Sequence, residues 1–133
     1  MYLVDTNIFL EILLDQDNCE KCREFLENNP GTLFISDFSL HSIGVILFRN
    51  GKEDAFQAFL DEILGNIETL SLAEHSYAAL KQVKADSGFD FDDAYQYLIA
   101  RDFGLQIVTM DKDFRTLQDV RTRVVFIGDQ EDQ

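Results

Sequence analysis

Five short strand-like runs punctuate this chain, separated by stretches whose apolar residues recur at helical spacing. Tyr2-Leu3-Val4-Asp5, Leu33-Phe34-Ile35 and Val124-Val125-Phe126-Ile127 are nearly solid apolar runs. Gln106-Ile107-Val108-Thr109 has an apolar middle, and Ile67 to Leu72 alternates. A strand with a solid apolar run has both faces buried. Strands alternating with helices supply the cover, because each helix crosses over to begin the next parallel strand. The pattern predicts an α/β fold: a three-layer α/β/α sandwich with a central, mainly parallel five-stranded sheet. The length of 133 residues suits a single domain with a real core. We expect that domain to span 1–128, with a polar, acidic tail at 129–133.

The helices follow from apolar spacing and from stop signals. Ile8, Phe9, Ile12 and Leu13 line one face directly after Asp5. Asp17 or Asn18 caps a second helix that runs to about Asn29, with Cys22, Phe25 and Leu26 inward and a turn at Asn29-Pro30-Gly31. Ser36 or Asp37 opens a third, carrying Leu40, Ile43, Ile46 and Leu47, and Asn50-Gly51 stops it. Lys52 to Leu64 and Ala73 to Ala85 read as two more. Asp92 or Asp93 opens a helix with Ala94, Tyr97 and Leu98, closed by Gly104. Asp111 to Phe114 reads as a turn or short helix.

Composition narrows the function classes. No run of about 18 apolar residues exists, so no membrane-spanning helix is expected. The N-terminus lacks a basic region ahead of an apolar core, so a cytoplasmic protein is expected. Cys19 and Cys22 form a lone C-x-x-C, too few ligands for a zinc site, and read as reduced structural cysteines on a helix face. The net charge of −14 gives poor long-range attraction for nucleic acid.

The informative residues are carboxylates. Asp5 closes the first strand, Asp111 follows the fourth, and Asp93 lies at a helix start. In a parallel sheet all three reach the rim where strands end and helices begin. Packing like charges together is unfavourable. A divalent cation with a preference for oxygen ligands, Mg²⁺ or Mn²⁺, removes that conflict. Such an ion activates water and stabilises charge on a phosphodiester. Spacing alone leaves a second reading open, in which Asp5 and Asp93 cap helices and Asp111 sits in a turn.

The segments Leu3-Val4-Asp5-Thr6-Asn7, Phe91-Asp92-Asp93-Ala94 and Val108-Thr109-Met110-Asp111-Lys112-Asp113-Phe114 resemble, in order and spacing, the three best-marked motifs of PIN domains. The similarity is greatest to the VapC-type toxins of bacterial toxin–antitoxin pairs and extends over essentially the whole chain. It implies an α/β/α sandwich and a ribonuclease dependent on Mg²⁺ or Mn²⁺. By that resemblance Asp5, Asp93 and Asp111 are the catalytic, metal-binding acids. Asn7, with Thr6, matches the polar residue that orients the first acid, and Asp113 matches a secondary acid. An RNA substrate, a basic antitoxin partner and a homodimer are the implied associations.

One position departs from the pattern. The family places a Glu six residues past the Ser that ends the second strand; counting from Ser36, this chain has Ser42, flanked by His41 and Ile43. Asp37 is the only carboxylate between Ser36 and Arg49, and it belongs to the helix start. This motivates an alternative, a catalytically degenerate PIN domain that serves as a binding or regulatory module. A receiver-like phosphoacceptor fits less well, because Asp5 is followed by Thr6 and the last strand by Gly128-Asp129 with no lysine. Arg49, Lys52, Lys112 and Arg115 are candidates for gripping RNA. Phe56 and Phe59 are candidates for either a dimer patch or the core.

Overall fold

The computed structural model describes residues 1–116 and 123–128; the expected tail at 129–133 lies outside the described residues. Five strands form one sheet: β1 (Tyr2–Val4), β2 (Leu33–Ser36), β3 (Glu68–Leu70), β4 (Gln106–Thr109) and β5 (Val124–Phe126). Their order is β3-β2-β1-β4-β5 and every pairing is parallel. Six α-helices accompany them: α1 (Thr6–Leu13), α2 (Cys19–Asn28), α3 (Asp37–Arg49), α4 (Glu53–Glu62), α5 (Leu80–Ser87) and α6 (Phe91–Phe103). The expected α/β/α sandwich is the observed fold.

The strand period of two divides the core into two halves. Val4 and Val108 point to one face, joining Ile8, Phe9, Ile12, Cys22, Ile35, Ile43, Leu47 and Phe59. Leu3 and Ile107 point to the other, joining Val83, Phe89, Leu98, Ile99 and Phe114. The sheet is thus covered by α1–α4 on one side and by α5 and α6 on the other. Phe9 meets Phe59 edge to face, with centroids 5.4 Å apart. Phe59 is therefore core, whereas Phe56 is partly buried and packs against Phe48, which is 56% exposed. Cys19 and Cys22 are free thiols buried on the inner side of α2, as expected.

Several boundaries differ from expectation. The stretch read as one helix from Ala73 to Ala85 is a 3-10 segment, Glu74–Ala79, followed by α5. Ser76 is buried there and donates to Asp102 of α6 at 2.7 Å, so tertiary anchoring sets the local geometry. The fourth helix stops at Glu62 and tightens into a 3-10 turn, Leu64–Asn66, short of the Leu64 end read from apolar spacing. The strand read from Ile67 to Leu72 pairs only over Glu68–Leu70, because it is an edge strand with one neighbour.

β1 is the central strand. The chain runs outward from it through β2 and β3, then returns to its other side for β4 and β5. Such a reversal opens a crevice at the carboxyl ends of the strands, between β1 and β4. Asp5 stands at one lip of that crevice and Asp111 at the other.

Candidate metal centre

Each acid reaches the crevice for a local reason. Asp5 leaves β1 and caps α1, accepting from the Thr6 backbone N–H at 2.8 Å. Asp111 follows β4 after one intervening residue, and its backbone N–H donates to the Thr109 hydroxyl at 2.9 Å. Asp93 lies in the first turn of α6, but the cap of that helix is Asp90, which accepts from the Asp93 N–H at 3.0 Å. The sequence reading of Asp92 or Asp93 as helix opener is corrected by this bond. Its consequence is that the Asp93 carboxylate is not needed as the cap.

Asp93, Asp111 and Asp113 each place a carboxylate oxygen within 4.8 Å of the others. Asp113 is exposed, and its backbone N–H donates to Asp111 Oδ1 at 2.9 Å. Asp5 stands outside this trio, 8% exposed. Its Oδ1 accepts from Thr6 N and from Gln96 Nε2 at 3.0 Å; its Oδ2 accepts from the Thr109 hydroxyl at 2.7 Å and from Asn7 Nδ2 at 3.5 Å. Asn7 also ties the two lips together, since its Oδ1 accepts from the Met110 N–H at 3.1 Å. Thr6 and Ser39 share a hydroxyl–hydroxyl bond of 2.7 Å, and Ser39 receives the second N–H of Gln96 at 2.9 Å.

The electrostatics are those of carboxylates crowded together. Burial first, then the charges of Asp111, Asp90, Asp5 and Asp113, push the Asp93 carboxyl from 3.8 up to about 7. Burial also raises Asp5, against hydrogen bonds from Gln96, Thr109 and Thr6 that favour its ionised form. Among the described residues no lysine or arginine pairs with Asp5, Asp93 or Asp111. Three hard oxygens this close, without a cationic side chain on Asp93 or Asp111 among the described residues, could hold a divalent cation.

Other residues singled out from sequence are placed differently. Ser42 is half-buried on α3 and contributes no carboxylate. Asp37 is exposed and engaged elsewhere, accepting from the Tyr95 hydroxyl at 2.7 Å and from the Phe38 N–H at 2.8 Å. His41 is exposed beside an apolar groove lined by Leu40, Val45, Phe48 and Phe56. Arg49 ends a helix of 13 residues that starts at the crevice, so its backbone lies roughly 20 Å along the helix from that end, and Lys52 follows beyond it in the chain. Lys112 and Arg115 follow Asp111 in the chain, and the Arg115 guanidinium lies 5.7 Å from the Phe126 ring centre.

Sequence reasoning passed over Gln96, Thr109 and Ser39, and read Ser36 only as a candidate helix cap, which it is. Thr109 carried a signal, a polar end to a buried strand. Gln96 carried one as well, a long amide among the apolar inward positions of α6.

A family model described as PIN domain matches residues 2–120 of this chain. The chain belongs to the PIN domain family. No curated protein sequence matches it. Several solved PIN-like structures share its fold at low identity. VapC20 of Mycobacterium tuberculosis, a toxin that cleaves the sarcin-ricin loop, superposes with a TM-score of 0.76 at 17% identity, covering 92% of this chain and 99% of that one. VapBC2 of Rickettsia felis, bound to a DNA fragment from its promoter, gives 0.74 at 20% identity, with 96% and 98% covered. A toxin–antitoxin complex of Klebsiella pneumoniae gives 0.72 at 17%, with 92% and 99% covered. No helix of this PIN domain is long and apolar enough to cross a membrane among the described residues.

Proposed function

We propose that this PIN domain is a metal-dependent endoribonuclease and the toxin of a toxin–antitoxin pair. The observation that carries the reading is the Asp93–Asp111–Asp113 trio, within 4.8 Å and, among the described residues, without a basic partner on Asp93 or Asp111. These acids would hold Mg²⁺ or Mn²⁺, and Asp5, fixed behind them, adds a fourth negative charge. A divalent ion in such a site lowers the pKa of bound water and offsets charge on a phosphodiester. The chain's own part is orientation. Asn7 and Thr109 hold the Asp5 and Asp111 lips in register. Lys112 and Arg115, close to Asp111 in the chain, are the candidates for contact with a substrate phosphate. An antitoxin that blocks so acidic a crevice would present basic residues to it, and the toxin–antitoxin complexes among the similar structures support such a partner.

The test is cleavage of a defined RNA panel with Mn²⁺ and with chelator, beside Asp93→Asn. Metal-dependent cleavage lost at least a hundredfold in Asp93→Asn is the expected result. Ser42 favours one other reading, a PIN domain that binds without cutting. Specific Mn²⁺ binding by folded protein that cleaves no RNA on the panel would establish that reading instead.

A further inference from the structure

α6 carries a second polar residue toward the crevice. Gln96 follows Asp93 by three positions, so both lie on one face of the helix. Gln96 is 1% exposed and sits among buried Ala94, Tyr95, Leu98, Ile99 and Ala100. Both its N–H bonds are committed, one to Asp5 Oδ1 at 3.0 Å and one to Ser39 Oγ at 2.9 Å. Its carbonyl Oε1 is buried with no partner.

That imbalance is informative. A buried unpartnered carbonyl is a cost, and an apolar side chain of similar volume would avoid it. Turning the amide over would aim its oxygen at the Asp5 carboxylate, which repels it, and would strand two donors in place of one acceptor. The amide is thus held one way round, and its gain comes from donation to Asp5 and Ser39. Ser36 donates to Ser39, and Ser39 shares its other bond with Thr6. With Gln96 on Ser39, the hydroxyl chain from Ser36 through Ser39 to Thr6 becomes a fixed backstop for the amide. Asp5 is clamped on Oδ1 from α6 and on Oδ2 from β4.

We propose that Gln96 is a positioning residue of the metal centre, acting through Asp5. It sets where the Asp5 charge sits relative to Asp93 and Asp111, and so tunes the affinity of the site for a divalent ion. This rests on the metal-centre reading above.

The experiment measures Mn²⁺ affinity of the whole chain by calorimetry for wild type, Gln96→Met, Asp5→Asn and the double variant. Met keeps the volume and removes both hydrogen bonds. The expected result is about a tenfold loss of affinity in Gln96→Met, the low end for residues that orient metal ligands. That loss should vanish in the Asp5→Asn background, because the charge that Gln96 positions is gone. Wild-type affinity in Gln96→Met, or the same loss with and without Asp5, would overturn the inference while leaving the metal centre standing. Absence of Mn²⁺ binding in wild type would overturn both. Should Gln96→Met fail to fold, the wild-type side-chain amide decides by NMR. Slowly exchanging Gln96 N–H signals support the clamp, and exchange as fast as that of exposed glutamines refutes it.

Discussion

Replacing Asp93 by Asn should stabilise the metal-free protein, an unusual outcome for a residue at a functional centre. A carboxyl raised from 3.8 to about 7 is one the folded state prefers protonated. Between those pH values the folded protein binds more proton than the unfolded chain, so stability falls as pH rises through the window. The full rise corresponds to a ceiling of about 4 kcal/mol above pH 7. Asp93 is only partly buried, and screening cuts that to roughly 1–2 kcal/mol. Losing a negative charge in the first turn of α6 returns about 0.5 kcal/mol. The net gain for Asp93→Asn at pH 8 in chelator is therefore about 1 kcal/mol, or roughly 3 °C in melting temperature. At pH 5 the wild-type carboxyl is already protonated in the fold, and most of the difference should disappear. Mn²⁺ should invert the order, since at a hundredfold its dissociation constant a ligand adds about 2.7 kcal/mol to the protein that binds it. Thermal melts of both proteins at two pH values, with chelator and with Mn²⁺, test every step. A less stable Asp93→Asn protein at pH 8 in chelator would refute the charge-crowding argument. Equal Mn²⁺ stabilisation of both proteins would refute Asp93 as a ligand.

Thr109→Val keeps the β-branched shape but removes a hydroxyl that serves Asp5 Oδ2, the Asp111 N–H and Asn7 Nδ2. It should cost about 2–3 kcal/mol in urea unfolding, and a loss below about 0.5 kcal/mol would contradict that bonding scheme. Burial, then the charges of Glu11 and Cys19, push the Cys22 thiol up to about 11, so thiolate is scarce at pH 8. Maleimide should label Cys22 only as fast as the protein unfolds, and labelling at the rate of an exposed thiol would count against the packing of α2.

The two acids that follow strands were legible because a strand end is a local event. The runs Leu3-Val4 and Ile107-Val108 declare burial, and the next charged residue must emerge at the rim. Asp93 was legible as part of a helix start, although Asp90 performs the capping. Gln96 was not, because its meaning depends on which carboxylate faces α6, and that partner lies 91 residues away. The same limit hid the 3-10 segment at Glu74–Ala79, where a buried Ser76 answers to Asp102 rather than to its own neighbours. Arg49 and Lys52 were picked out because their charge is visible in the sequence, although a helix that begins at the rim must end away from it. The parallel sheet then points α3 away from the crevice and carries both residues off.

The placing of β1 between β2 and β4 has a consequence for biosynthesis. Its partner on one side, β4, begins at Gln106, so the strand bearing Asp5 waits through about a hundred residues for that pairing. At typical elongation rates the wait is roughly 5–20 s. For most of it Asp5 has neither Gln96 nor Thr109 to hold it, and Asp111 has not been made. The carboxylates converge as a late event of translation, so a nascent chain carries no assembled centre until nearly the whole domain has left the ribosome.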